Sequence, residues 1–244
     1  MELTEENKKN EVITSDGVPL KRKLAKSLFQ SRIRAFGLVT PLLMLIFFAF
    51  VIPILIFLSI ASMVFGAIAA IGQNNLKRLI AYSSIGHMGY ALAGLSTGSN
   101  EGIQSSIVYM SIYLVMNLAF FSCLLMLKRN DVYYETVDDL SGLSKNHPIL
   151  SLSLLAILFS LAGIPPLAGF FAKFYIFKAV LEQSMYFLAI VGLLSTVVAA
   201  FYYLRIIKII YFDAEKEKYD QDHNMWLKFS LAFSTILILF YFIF

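Results

Sequence analysis

Residues 149–181 read ILSLSLLAILFSLAGIPPLAGFFAKFYIFKAVL, nearly unbroken apolar sequence with GIPP at its middle. As one straight helix at about 1.5 Å per residue, this stretch would measure roughly 50 Å, well beyond a hydrocarbon core of about 30 Å. Pro165 and Pro166 remove two amide donors, and Gly163 and Gly169 loosen the backbone on either side, so the helix is expected to break there. A broken helix at membrane depth survives only where it is packed in protein or lines a wet cavity. Lys173 sits just past this break, deep in the apolar run, with no acidic residue within eight positions on either side.

The rest of the chain agrees with a membrane setting. It is 59% hydrophobic and 15% charged, with a mean hydropathy of +0.74. Several runs exceed the length of about 18 apolar residues that marks a transmembrane helix. The lone cysteine, Cys123, lies in one of them without a partner, so disulfides and cysteine-ligated metal are excluded. His87, His147 and His223 are scattered and suggest no metal site, and no residue pattern suggests a bound cofactor. The net charge of +4 calls for no nucleic-acid partner, because the basic residues gather at helix ends. The expected fold is all-α and polytopic, with about six or seven transmembrane helices, one of them discontinuous at Gly163, Pro165 and Pro166.

Taken in order, residues 1–34 form a polar tail, mixed in charge and then basic, that reads as a solvated and partly disordered cytoplasmic segment. Residues 35–53 are apolar and carry Pro41 and Pro53. Either Pro53 marks a tight reversal or hinge, or part of the segment lies along the interface. Spans at 79–95 and 103–127 follow, then a long connection at 128–147. There Tyr133, Val137 and Leu140 fall at i, i+4 and i+7, as in a short interfacial helix. The broken span and a further one at 185–212 complete a transmembrane region over 54–212. A charged connection at 213–225 leads to a last span at 226–244.

Loop charge predicts an orientation. Lys77, Arg78, Lys128, Arg129, Lys145, Arg205, Lys208, Lys216, Lys218 and Lys228 occupy one set of connections, whereas STGSNEG and EQS carry no basic residue. By the positive-inside rule the basic set is cytoplasmic and the C-terminus lies outside. Keeping the basic N-terminal segment inside as well favours a reversal near Pro53.

Polar residues within the spans form stripes. Ser83, His87 and Tyr90 share one helical face, as do Ser106, Tyr109, Tyr113 and Asn117, then Ser195 with Tyr202 and Thr196 with Tyr203. Each alone is ordinary interhelical bonding, whereas several polar faces together describe a hydrated path. His87 suits a relay if water reaches it. Lys173 is the strongest candidate, since an ammonium at the bilayer centre costs about 2.5–3.5 kcal/mol on the mildest scale and this lysine lies too far from its helix end to snorkel.

The segments QNNLKRLIAYSSIGHMGY (73–90), DDLSGLSKNHP (138–148) and LAGIPPLAGFFAKFYIF (161–177) resemble subunit N of NADH-quinone oxidoreductase, respiratory complex I, an antiporter-like family. The resemblance runs over about 54–219 and continues into the last span, and no motif of the family is found in residues 1–50. It implies a proton-translocating module built on inverted repeats, each with one discontinuous helix. Lys173 matches the lysine beside the second broken helix, on the route to the outer face. His87 matches a histidine that commonly follows AYSSI, and Tyr113 lies in the next helix, where related subunits carry histidines. NADH, FMN, iron–sulfur clusters and quinone are implied for the parent complex, in other subunits. Its membrane subunits are the implied partners, in a bacterial inner membrane or the mitochondrial inner membrane.

Full-length members have about twice the spans expected here, and the match is to their C-terminal half. The chain then reads as a split-gene product, as a truncated or rearranged gene, or as a subunit whose first half is another chain. Two rivals stand beside the main reading: a subunit of a monovalent cation/proton antiporter or membrane-bound hydrogenase of the same superfamily, and a non-pumping structural remnant.

Overall fold

The computed structural model describes residues 20–130, 132–216, 218–220 and 224–243. Contacts divide the chain into two units at Val51 and Ile52. Residues 1–19 of the expected polar tail lie outside the described residues, as does His223.

Helix α1, Leu20–Ile71, belongs to both units. Pro53, where a reversal or hinge was one expectation, is helical, as is Pro41. A proline removes one intrahelical hydrogen bond and crowds one carbonyl, which a long apolar helix absorbs at a single turn. In the first unit the side chains of Phe29, Leu43, Leu45 and Phe50 are exposed, as suits lipid.

The second unit starts from small-residue crossings. A Cβ on Gly66 would fall on the Gly86 backbone, and Ser59 Oγ donates to the Gly89 carbonyl at 2.7 Å. Without a hydrophobic drive between helices in lipid, such close backbone contact supplies the attraction. It joins α1 to α2, Leu76–Ser96, whose first turn is capped by Asn75 accepting from Arg78 N at 3.1 Å. Ser99 caps α3, Asn100–Leu125, through Gly102 N at 3.0 Å. Ser106 on α3 donates to the Ala91 carbonyl of α2 at 2.9 Å, closing the hairpin.

The connection at 128–147 is not an amphipathic helix. Lys128–Arg129 (β1) and Val132–Tyr133 (β2) pair antiparallel, leaving Tyr133 exposed. Thr136 is extended, its N–H and hydroxyl both donating to the Asp139 carboxylate at 2.9 and 2.6 Å. That local side-chain bonding competes with helix formation, so only a 3-10 turn, Val137–Leu140, follows. Val137 and Leu140 are buried, and Leu76 N to Glu135 O and Val137 N to Asn74 O, each 2.7 Å, strap the connection to the start of α2. Lys77 pairs with Glu135, which holds that carboxyl below the usual carboxylate range.

After the short α4, Leu143–Asn146, come α5, Pro148–Ala162, and α6, Ala168–Glu182, the two halves of the broken span. Then follow α7, Tyr186–Phe212, and α8, Met225–Phe240, with a 3-10 turn at Tyr241–Ile243. Among the described residues three helical stretches are long and apolar enough to cross a membrane, Val39–Ile71, Asn100–Leu125 and Tyr186–Phe212, and Pro148–Ala162 and Met225–Phe240 are shorter apolar helices. In the second unit α3 packs against α2, α5, α6 and α8, while α7 packs against α5 and α6. Lipid-facing residues such as Leu194 and Val197 on α7 stay exposed. The protein is an all-α, multi-pass membrane bundle.

Candidate functional site

The site grows from the end of α5. Gly163 takes φ +88°, the left-handed conformation that a glycine adopts freely. Gly163 N then donates to the Ser160 carbonyl at 2.9 Å, and Ile164 N to the Phe159 carbonyl at 3.0 Å, a Schellman cap. Of the last four α5 carbonyls this leaves those of Leu161 and Ala162, and the following prolines have no amides to offer. Lys173 meets that need: its Nζ donates to both, each at 3.1 Å. The ammonium thus lies on the negative end of the α5 dipole, where a cation is favoured. It is 5% exposed, and it stands 5.3 Å from the centre of the Tyr90 ring. A Cβ at Gly163 would come 3.0 Å from Lys173 Cδ, so the glycine also makes room for the lysine stem.

Gly163, Pro165 and Pro166 lie at the break as expected, whereas Gly169 does not. It sits in the first turn of α6, where its N–H donates to Ser160 Oγ at 2.9 Å and its missing side chain leaves space for the Ser160 carbonyl. Its role is close helix contact between the two halves.

His87 belongs to a buried tyrosine cluster. Its Nδ1 bonds the Tyr109 hydroxyl at 2.7 Å and its Nε2 the Tyr203 hydroxyl at 3.3 Å, and Tyr203 is bonded in turn to Ser83 Oγ. Tyr113 meets His87 through its ring, stacked at 4.6 Å between centroids, while its hydroxyl donates to Ser84 Oγ at 2.6 Å. Tyr90 bonds Thr196 Oγ1 at 2.7 Å and donates to the Gly192 carbonyl at 3.0 Å, linking the Lys173 neighbourhood to α7. A cavity of about 10 Å³, lined by His87, Tyr90, Lys173, Ser195 and Tyr202, joins the two groups. That volume is at the lower limit of what one water needs. From the other side a mostly apolar cleft of about 680 Å³ between α6 and α7 reaches Lys173, lined by Phe170, Phe174, Phe177, Leu193 and Thr196.

The structure therefore brings Lys173 and His87 together and puts Tyr113 against His87. Tyr109 and Tyr203 were visible only as members of polar stripes, and the Leu161 and Ala162 carbonyls carry no side-chain signal at all. Arg205 donates to the Ile71 carbonyl at 3.3 Å and to Asn74 Oδ1 at 3.0 Å. Among the described residues no group of three or more His, Cys, Asp or Glu could hold a metal ion.

A helical membrane bundle whose broken helix presents its carbonyl end to a buried cation defines a class, the polytopic proteins that build ion sites from discontinuous helices. Comparison with known proteins narrows this. The transmembrane family described as NADH:quinone oxidoreductase/Mrp antiporter matches residues 28–199, and the chain belongs to that family. The match begins upstream of residue 50, in the stretch where no motif was recognised. A relative from Pelagibacter ubique, an NADH-quinone oxidoreductase subunit N, is 92% identical over 79% of this chain and 41% of its own length. The corresponding subunit of Parvibaculum lavamentivorans is 50% identical over 78% of this chain and 40% of its own. Among solved structures, respiratory complex I from Thermus thermophilus with bound aureothin contains a similar chain, with a TM-score of 0.65, 29% identity, and coverage of 77% of this chain and 42% of that one. An archaeal membrane-bound sulfane sulfur reductase gives a TM-score of 0.69 at 26% identity, covering 79% and 39%. The chain spans about two fifths of the length of the curated relatives it matches.

Proposed function

We propose that this chain is a membrane subunit of an NADH-quinone oxidoreductase and carries the distal half of a proton path driven by electron transfer from NADH to quinone. The observation that carries this reading is the Lys173 ammonium, seated on the two carbonyls that the α5 cap leaves over and sharing a cavity with His87. A proton arriving along Ser83, Tyr203, His87 and Tyr109 meets hydroxyls and ring nitrogens that can each take and give one. One bridging water in the cavity completes the connection to Lys173. On losing its proton, Lys173 gives up its charge while its amine can still donate to a carbonyl, so the site survives both states. NADH, FMN, the iron–sulfur clusters and quinone belong to other subunits of the complex in this reading. The C-terminus lies on the outer side of a bacterial inner or mitochondrial inner membrane, and a separate chain supplies the first repeat. The naming of the two relatives favours this over the antiporter and hydrogenase alternatives.

Two experiments bear on it. Tagged at its N-terminus and purified from native membranes, the chain should bring with it the NADH-oxidising arm and a chain carrying the first repeat. Recovery of the chain alone would leave a structural remnant. His87→Phe keeps a ring to stack on Tyr113 but removes both nitrogens, so the rate of NADH-driven proton translocation in sealed vesicles should drop by about 10²-fold or more, the usual scale for one proton-transfer group. An unchanged rate would remove His87 from the path.

A further inference from the structure

We propose that the face of the bundle around Asn146 binds one anionic phospholipid, phosphate in a basic pocket and acyl chain in the apolar groove beside it. The inference stands apart from the proton path and needs only that the chain be membrane-embedded. The pocket, about 760 Å³, is lined by Arg129, Asn146, Glu215, Lys216 and Lys218. The groove, about 440 Å³, runs between the first turns of α5 and α8, along Pro148, Ile149, Leu150, Leu231 and Ala232, with Lys228 at its side. Asn146 lines both, so the polar pocket and the apolar groove adjoin.

The pocket wall is held in place. Asn146 Nδ2 donates to the Lys216 carbonyl at 2.8 Å, Tyr219 N to His147 Nε2 at 3.0 Å, and Asp220 N to the Lys128 carbonyl at 2.9 Å. Tyr219, itself buried, donates from its hydroxyl to the Asp139 carbonyl at 2.7 Å. Its neighbour Lys216 also reaches the Asp139 carboxylate at 3.8 Å. Among the described residues that line it, Arg129, Lys216 and Lys218 stand with Glu215, Arg129 also donating to the Tyr134 hydroxyl at 2.7 Å, and the excess of basic side chains suits a phosphate diester. Depth fits as well. Trp226, 78% exposed at the start of α8, is the residue that settles at the headgroup boundary, and Ile149, 81% exposed, lies at the start of α5 where the hydrocarbon begins. A basic pocket between helix ends with a groove leading inward is the shape such a lipid fills.

The test uses the full chain in detergent, titrated with dioleoyl phosphatidylglycerol or dioleoyl phosphatidylcholine and read by native mass spectrometry. One phosphatidylglycerol per chain should be retained in preference to phosphatidylcholine. Replacing Arg129, Lys216 and Lys218 together by Gln should weaken retention by about a hundredfold, at the usual contribution of each basic side chain near a charged headgroup layer. Ala232→Trp, which fills the groove and leaves the basic pocket intact, should weaken it too; if that variant loses helicity, Ser153→Leu serves the same purpose. Lys77→Gln with Arg78→Gln, on another basic loop, should change nothing. Equal retention of both lipids, displacement of phosphatidylglycerol by an equal concentration of glycerol 3-phosphate, or an equal loss in the Lys77/Arg78 control would overturn the proposal. So would a photocrosslinker at position 149 that labels a neighbouring protein in native membranes rather than lipid.

Discussion

Lys173→Met should stop proton translocation while leaving the helical bundle folded. Methionine matches the length of the lysine stem and removes only the ammonium. The Leu161 and Ala162 carbonyls then lose their donor, at about 1–3 kcal/mol for each unsatisfied buried group and so about 2–6 kcal/mol for the two. Against that, the desolvation cost of a buried ammonium disappears, about 2.5–3.5 kcal/mol on the mildest insertion scale. The two changes are similar in size, so the thermal midpoint of the detergent-solubilised complex should move little. The rate of NADH-driven proton translocation in sealed membrane vesicles should fall at least about 10²-fold, the lower range for loss of one acid–base group. Lys173→Arg separates charge from proton exchange. A guanidinium keeps the cation on the α5 carbonyls but is not deprotonated in proteins. It should therefore fail in transport as completely as methionine does. Normal transport in either variant would remove Lys173 from the path, and normal transport in Arg alone would make it a structural cation.

The largest effect on folding is expected at Gly169. Its N–H bonds Ser160 Oγ, and a Cβ there would overlap the Ser160 carbonyl. Both atoms belong to the rigid last turns of α5, so no flexible side chain can move aside. Gly169→Val must push α6 away from α5, at a cost of about 3 kcal/mol or more, the upper range for overpacking. The separation also pulls the Lys173 stem off the α5 end. Little folded chain should be recovered from membranes, with a lowered thermal midpoint in what remains. Ser160→Ala, which removes only the hydroxyl partner of the Gly169 amide, should cost about 1–3 kcal/mol. A Gly169→Val protein as stable as the parent would mean that the two half-helices are not held by this contact.

Much of this architecture follows from local chemistry. Tandem prolines lack amide donors, Gly163 can enter the left-handed region, and a long apolar run must still satisfy its backbone in lipid. Those facts locate the break and leave Lys173 without an exit to water, whatever the rest of the chain does. The helical periods likewise put Ser83, His87 and Tyr90 on one face. Other features depend on which helices meet. At Pro53 the sequence left a reversal or hinge beside an interfacial segment, and the period at Tyr133, Val137 and Leu140 is that of a helix which Thr136 and Asp139 divert. Gly169 looked like part of the break until the approach of Ser160 gave it another purpose. The partners of His87 lie 22 and 116 residues away, and Lys173 rests on backbone carbonyls that no side chain marks. Backbone bonding is decided within a few residues, so it can be read in order along the chain. The site depends on crossings between α2, α3, α6 and α7, which sum many weak contacts over distant segments, and only their packing brings a lysine and a histidine to one small cavity.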